Sequence, residues 1–195
     1  MSLITPIGAH LIGGDWSTDA PGGTGISDNP ARPHEPVGAY PLGDATTAND
    51  AVTAAVEAQA IWRDAGFGSR ARIMEQAAVL FDERADELAL LCTMEEGKTL
   101  AESRGEAVLS AETFRYQAGL AKTSTERIFP SNNPGETIRT VRAPLGVVGI
   151  ITPWNFPILI PAWKIAPALA SGNTVVWKPA SNTPLLSVAI ARLFA

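Results

Sequence analysis

The chain has 195 residues, 46% of which are hydrophobic, and a formal net charge of -5. A chain of this length and composition can bury the core of one sizeable domain. Its lysines and arginines are scattered rather than clustered, which argues against a nucleic-acid partner and against a basic membrane anchor. Residues 1–8 lack the basic segment and the long apolar stretch of a signal peptide, so we expect a cytoplasmic protein.

The first 122 residues predict short strands followed by helices. Short apolar pieces at 10–16 and 36–40, among frequent glycines and prolines, are typical of strands joined by loops. The helical spacing of apolar residues then predicts four helices, at 47–65, after a Ser69 N-cap with an apolar face that extends to Phe81, at 86–96 and at 100–122.

The single cysteine, Cys92, lies within the third predicted helix. A nucleophilic thiol needs a basic group or a helix N-terminus to lower its pKa, whereas the neighbours here include Leu91 and Met94. We therefore interpret Cys92 as a core residue. His10 and His34, the only histidines, do not have the spacing of a metal site, and we predict no metal.

The pattern of polar and apolar side chains changes twice in the rest of the chain. Residues 137–142 alternate β-branched and charged side chains after a turn-forming segment at 132–135, which predicts a strand with one exposed face. Residues 145–152 then predict a strand buried on both faces, and residues 161–171 predict a helix. Residues 174–177 predict a second buried strand, and residues 184–195 predict a helix capped by Thr183. This order predicts an α/β fold with parallel strands in a right-handed βαβ unit.

The candidate site lies in the loops after these two strands. Ligands of open parallel sheets bind beyond the carboxyl ends of the strands, where the loops 152–157 and 178–181 are expected. The amide of Asn155 can donate hydrogen bonds to a developing negative oxygen, and the ammonium of Lys178 suits ribose hydroxyls or phosphate. An asparagine that closes a turn and a solvated lysine explain the two residues equally well.

Two glycine-containing segments do not match the usual phosphate-binding motifs. Residues 22–25 lack the third glycine of a dinucleotide-binding loop, and residues 97–99 lack the upstream glycine of a P-loop. We interpret both segments as plain turn or loop residues.

Eight segments, in one order and spacing over nearly the whole chain, resemble the NAD(P)-dependent aldehyde dehydrogenase superfamily. They are IGGDW (12–16), NPA (29–31), EEGK (95–98), PLGVVG (144–149), TPWNFP (152–157), WKIAPAL (163–169), GNTVV (172–176) and KPA (178–180). The resemblance implies that residues 1–122 begin the cofactor-binding domain, that 123–143 form an oligomerisation-type β segment, and that 144–195 form the first βαβα unit of its Rossmann-like fold.

The resemblance also implies roles for individual residues. Asn155 would be the side-chain half of the oxyanion hole, and Lys178 would hydrogen-bond the cofactor ribose. The nicotinamide side of the groove would be lined by Ile151, Thr152, Pro153 and Trp154. Many members have an acidic residue three positions after the lysine, where this chain has Ser181. The cofactor is therefore expected to be NADP or NAD, with Ser181 favouring NADP.

The nucleophilic cysteine and general-base glutamate of the superfamily would follow residue 195, and Cys92 matches neither position. The resemblance thus implies the N-terminal part of an aldehyde dehydrogenase that is inactive alone. The nearest groups are the 2-oxoglutarate semialdehyde (2,5-dioxovalerate) and succinate-semialdehyde dehydrogenases. The expected partners are an aldehyde and, for the complete enzyme, further copies of the subunit. The alternative is a non-catalytic fragment that binds nucleotide or pairs with subunits.

Overall fold

The structure, a computed structural model, describes residues 7–123 and 126–195. The absence of a leader was predicted from residues 1–8, and residues 1–6 lie outside the described part. Four short strands come first and form two antiparallel pairs: β1 (His10–Ile12) with β2 (Asp15–Ser17), and β3 (Thr24–Ser27) with β4 (Gly38–Pro41). The two-residue turn between β1 and β2 requires positive φ at both positions, which Gly13 and Gly14 supply with values of 63° and 94°.

Four helices follow, as the sequence predicts: α1 (Ala45–Asp64), α2 (Gly66–Glu83), α3 (Ala85–Glu96) and α4 (Leu100–Ala121). Asp44 and Thr99 cap α1 and α4 through reciprocal capping boxes. The prediction that Ser69 caps α2 is wrong. The helix begins at Gly66, whose φ of 77° redirects the chain directly after α1, and Ser69 lies inside the first turn.

An exposed β-hairpin separates these helices from the last part of the chain. It consists of β5 (Arg127–Pro130) and β6 (Thr137–Thr140), which pair antiparallel with Phe129 opposite Ile138. The strand predicted at 137–142 is therefore confirmed, with an end two residues earlier, but the expectation of only one exposed face is wrong. All eight residues of the two strands are exposed.

The predicted βαβα unit is confirmed as β7 (Val147–Ile151), α5 (Leu159–Ala170), β8 (Thr174–Lys178) and α6 (Pro184–Ala191), with β7 parallel to β8. The expectation of burial on both faces over 145–152 is wrong. Leu145 lies before the strand and is 94% exposed, while Ile151 at its end is 81% exposed. In the described part of the chain β7 pairs with β8 alone, so its other edge has no neighbouring strand.

One hydrophobic core joins α2, α3 and α4 to α5, α6 and the β7–β8 sheet. Phe81 of α2 stacks on Phe114 of α4 with ring centroids 5.2 Å apart. Helix α4 thus packs between the early helices and α5, the helix that follows the candidate loop. None of the helices in residues 7–123 and 126–195 combines the length and apolarity needed to cross a membrane.

Candidate functional site

The two strand ends meet at one edge of the β7–β8 sheet. Ile151, the last residue of β7, lies directly opposite Lys178, the last residue of β8. The backbone N–H of Thr152 donates to the carbonyl oxygen of Lys178 at 3.3 Å, and the indole N–H of Trp177 donates to Thr152 Oγ1 at 2.9 Å. The loops that contain Asn155 and Ser181 therefore leave the same edge, as the parallel βαβ prediction requires.

The loop after β7 is anchored at both ends and exposed in the middle. Thr152 and Pro157 are buried, whereas Pro153, Trp154 and Asn155 are exposed. Within residues 7–123 and 126–195, nothing is hydrogen-bonded to the side-chain amide of Asn155. Its N–H groups are therefore available to a ligand at the rim of the sheet.

The loop after β8 presents two further polar groups. Lys178 is exposed, and its ammonium forms no hydrogen bond or ion pair with any described residue. Ser181 is also exposed, and its carbonyl oxygen accepts a hydrogen bond from the Tyr40 hydroxyl at 3.3 Å. The free ammonium and hydroxyl leave hydrogen-bond donors for the hydroxyl and phosphate groups of a nucleotide.

Sequence analysis missed a buried ion pair beneath the Asn155 loop. Lys98 Nζ donates to a carboxylate oxygen of Glu106 and, at 2.7 Å, to the backbone carbonyl oxygen of Asn155. The other oxygen of Glu106 accepts from the backbone N–H groups of Ile158 and Leu159, each at 3.2 Å. Residues 97–99 are turn or loop residues between α3 and α4, as interpreted, but that interpretation did not include the contact of Lys98 with a loop distant in sequence.

A second buried carboxylate caps α6. Glu95 accepts hydrogen bonds from Ser27 Oγ at 2.5 Å and from the backbone N–H groups of Leu185 and Leu186 at 3.0 and 2.7 Å. Burial raises the pKa of Glu95 to about 7, although these three donors act in the opposite direction. The expected Thr183 side-chain cap is absent from α6, and Glu95 takes its place.

Cys92 is confirmed as a core residue. Its side chain is fully buried, and this burial raises the thiol pKa to about 12. A thiol in this environment remains protonated near neutral pH and is a poor nucleophile. In the part of the chain that the structure describes, no three histidine, cysteine or carboxylate side chains gather in a metal-binding arrangement.

Known proteins share both the sequence and the fold. The family model described as "Aldehyde dehydrogenase family" matches residues 17–195. The α-ketoglutarate semialdehyde dehydrogenase of Haloferax volcanii is 42% identical over 94% of this chain and 38% of its own length. The α-ketoglutaric semialdehyde dehydrogenase of Bacillus subtilis is 40% identical over the whole chain and 40% of its own length.

A crystal structure of an E. coli NADP-dependent enzyme superposes with a TM-score of 0.92 and 36% identity, over 98% of this chain and 39% of that one. The chain thus spans about two fifths of the length of the proteins it matches. The matched range includes every candidate site residue at the edge of the β7–β8 sheet. By sequence and by fold, this chain belongs to the aldehyde dehydrogenase family and corresponds to its N-terminal part.

Proposed function

We propose that this chain supplies the oxyanion donor and part of the cofactor site of an enzyme that oxidises an aldehyde to an acid. The observation that carries the proposal is the register of β7 and β8, which puts Ile151 opposite Lys178 and sends both candidate loops from one edge of the sheet. In this proposal, residues 1–122 and 144–195 belong to one cofactor-binding domain, and 123–143 form an oligomerisation segment.

The side-chain N–H of Asn155 donates to the oxygen of the aldehyde as negative charge develops there. A donor aimed in advance lowers the barrier because it does not reorganise during the reaction. Lys178 and Ser181 bind ribose hydroxyls, and Ile151, Thr152, Pro153 and Trp154 line the nicotinamide side of the groove. Bound NAD(P) supplies the acceptor for the hydride that leaves the aldehyde carbon.

The nucleophile of the reaction is not Cys92, because a buried thiol with a pKa of about 12 is neither accessible nor ionised. Neither Glu95 nor Glu106 is available as a general base, since both carboxylates are occupied by backbone N–H donors in the interior. We therefore expect the 195-residue chain to bind cofactor without oxidising aldehyde.

The substrate class we propose is a semialdehyde that carries a second acidic group. This part of the proposal rests on relatives named for α-ketoglutarate semialdehyde and 2,5-dioxopentanoate, which match the chain at 40 to 45% identity. The test is a chimera in which residues 1–195 replace the matching part of the Bacillus subtilis relative. Oxidation of 2-oxoglutarate semialdehyde in preference to acetaldehyde supports the class, whereas equal use of both aldehydes contradicts it.

Members of the family use NAD or NADP, and we propose that Ser181 favours NADP. Ser181→Glu is expected to lower the NADP-to-NAD affinity ratio by roughly tenfold or more, about 1.4 kcal/mol. The introduced carboxylate accepts hydrogen bonds from the ribose hydroxyls of NAD and repels a 2′-phosphate. Calorimetric titration of the 195-residue chain measures the ratio, and Ser181→Gln controls for side-chain size. An unchanged ratio in Ser181→Glu contradicts this assignment.

A second candidate function, subunit pairing, is favoured by the exposed hairpin. Ile128 is 72% exposed and Ile138 is 53% exposed, and an isolated two-stranded hairpin is marginally stable without a further partner. We expect Ile138→Lys to shift the chain toward monomer in sedimentation velocity, because a lysine on an edge strand disfavours strand pairing. Ile61→Lys is the matched control, because Ile61 is an exposed side chain of α1. A wild-type chain that is monomeric at all concentrations contradicts the pairing role.

A further inference from the structure

Charged side chains from another region of the chain contact the loop that contains Asn155, the candidate oxyanion donor. We propose that Lys98 and Glu106 are positioning residues that fix the direction of Asn155, an inference that rests on the proposed role of Asn155. We call this pair the loop clamp. It joins the α3–α4 loop and helix α4 to the loop that precedes α5.

The loop clamp contacts the backbone at two places, at Asn155 and at the start of α5. Lys98 Nζ binds the carbonyl oxygen of Asn155 itself at 2.7 Å and lies 4.6 Å from the ring centroid of Phe156, the next residue. Glu106 binds the first two backbone N–H groups at the start of α5, those of Ile158 and Leu159. The backbone between Asn155 and α5 is thus fixed by two side chains that are themselves ion-paired.

Because the loop clamp is buried, its stability depends on the position of the loop. The side chain of Glu106 is 3% exposed and that of Lys98 is 13% exposed, so the pair is stable only if its remaining donors and acceptors are satisfied. The loop provides the missing partners, with two N–H groups for the carboxylate and one carbonyl for the ammonium. Movement of the loop would take the two backbone donors from the Glu106 carboxylate and the Asn155 carbonyl from the Lys98 ammonium, and only the bond between the two side chains would remain. The ion pair therefore resists that movement.

A purely structural role for the pair has to be distinguished from positioning. Helix α5 has no side-chain cap from the residue that precedes it, Ile158, so Glu106 acts as its cap, and Lys98 would be needed only as a counter-ion. The contact of Lys98 with the carbonyl of Asn155 has no part in capping α5. Positioning therefore predicts an effect on the Asn155 side chain, and a capping role alone does not.

The experiment uses ¹⁵N-labelled 195-residue chain and measures the NMR order parameter of the Asn155 side-chain amide, assigned by its loss in Asn155→Ala. In the wild type we expect a value near that of rigid backbone, about 0.8, and in Lys98→Met a value below about 0.6. Hydrogen exchange at the amides of Ile158 and Leu159 is expected to accelerate by roughly tenfold in the same variant.

Two further variants complete the test. Lys122→Met removes an exposed ion pair between the residue that ends α4 and Glu75 of α2, and it should leave Asn155 unchanged. If Lys98→Met does not fold, Lys98→Met/Glu106→Gln removes both charges and avoids a lone buried carboxylate. Its Asn155 side chain is again expected to be mobile. A mobile Asn155 in the folded wild type, or a rigid one in either clamp variant, would overturn the proposal.

The failure of the clamp and the failure of the proposed function give different results. The NMR measurement requires neither cofactor nor turnover, so it reports on the clamp alone. In the chimera, Lys98→Met/Glu106→Gln is expected to lower kcat while leaving the KM for NADP unchanged. A loss of Asn155 order with no kinetic effect of Asn155→Ala would keep the clamp and remove the oxyanion role.

Discussion

Asn155→Ala is expected to lower kcat of the chimera with the Bacillus subtilis relative by about 10²- to 10³-fold, the usual effect of removing one oxyanion-hole donor. The physical reason is that the amide N–H stabilises charge which exists only in the transition state. The affinity for NADP should remain within about twofold, because the cofactor donors Lys178 and Ser181 lie on the other loop. Steady-state kinetics at saturating NADP measures the effect.

Asn132→Ala provides the control, since this exposed asparagine lies in the turn of the β5–β6 hairpin, away from the sheet edge. It should leave kcat unchanged. A fall in affinity for NADP with unchanged kcat in Asn155→Ala would contradict the oxyanion assignment. That pattern would place the amide among the cofactor contacts instead.

Replacing Glu95 is expected to have the largest effect on folding. Glu95→Ala leaves three buried donors without an acceptor, those of Ser27, Leu185 and Leu186. The loss should lower the free energy of unfolding by about 3 kcal/mol, because each unsatisfied buried donor is costly. Urea unfolding of the 195-residue chain followed by circular dichroism measures it. Ser27→Ala, which removes one donor of the three, should cost less. Equal losses in the two variants would contradict this account of the cap.

The same residue makes stability depend on pH. Burial raises the pKa of Glu95 from 4.5 to about 7, so the folded chain holds this proton more tightly than the unfolded chain does. Its contribution is fully present below pH 4.5 and is lost as the pH rises through 7, a change of about 3 kcal/mol. Glu95→Gln cannot ionise and lacks this dependence.

The difference in unfolding free energy between the wild type and Glu95→Gln should therefore change by that amount between pH 4.5 and 8, in the direction that disfavours the wild type at high pH. A constant difference would show that Glu95 does not titrate in this range. A change of opposite sign would mean that the three donors outweigh burial.

The βαβα unit was predictable because local patterns determine it. The apolar run before Pro153 predicts β7, and Gly172, with φ of 87°, lies just after the end of α5. Parallel pairing then follows from the helical crossover between the two strands, and it brings Ile151 and Lys178 to one edge. The residue types in the loops that leave this edge pointed to Asn155 and Lys178, and the family resemblance added Ser181.

The buried carboxylates were not predictable in the same way. The partners of Glu95 and Glu106 are backbone N–H groups at the starts of α6 and α5, which lie 90 and 52 positions further along the chain. Thr183 has the residue type and position of an N-cap, yet the cap comes from Glu95. Long-range hydrogen bonds replaced local capping at both α5 and α6, and single-sequence patterns contain no signal for them.

We propose that residues 151–155 and 178–181 form a cofactor rim within these 195 residues. Calorimetric titration of the purified 195-residue chain with NADP and then NAD tests this rim, together with a parallel assay for aldehyde-dependent formation of NADPH. We expect saturable binding of NADP that is tighter than that of NAD, with no aldehyde-dependent reduction of either cofactor. The absence of binding by a folded chain would contradict the claim that this rim is preformed, and turnover would contradict the claim that the nucleophile lies elsewhere.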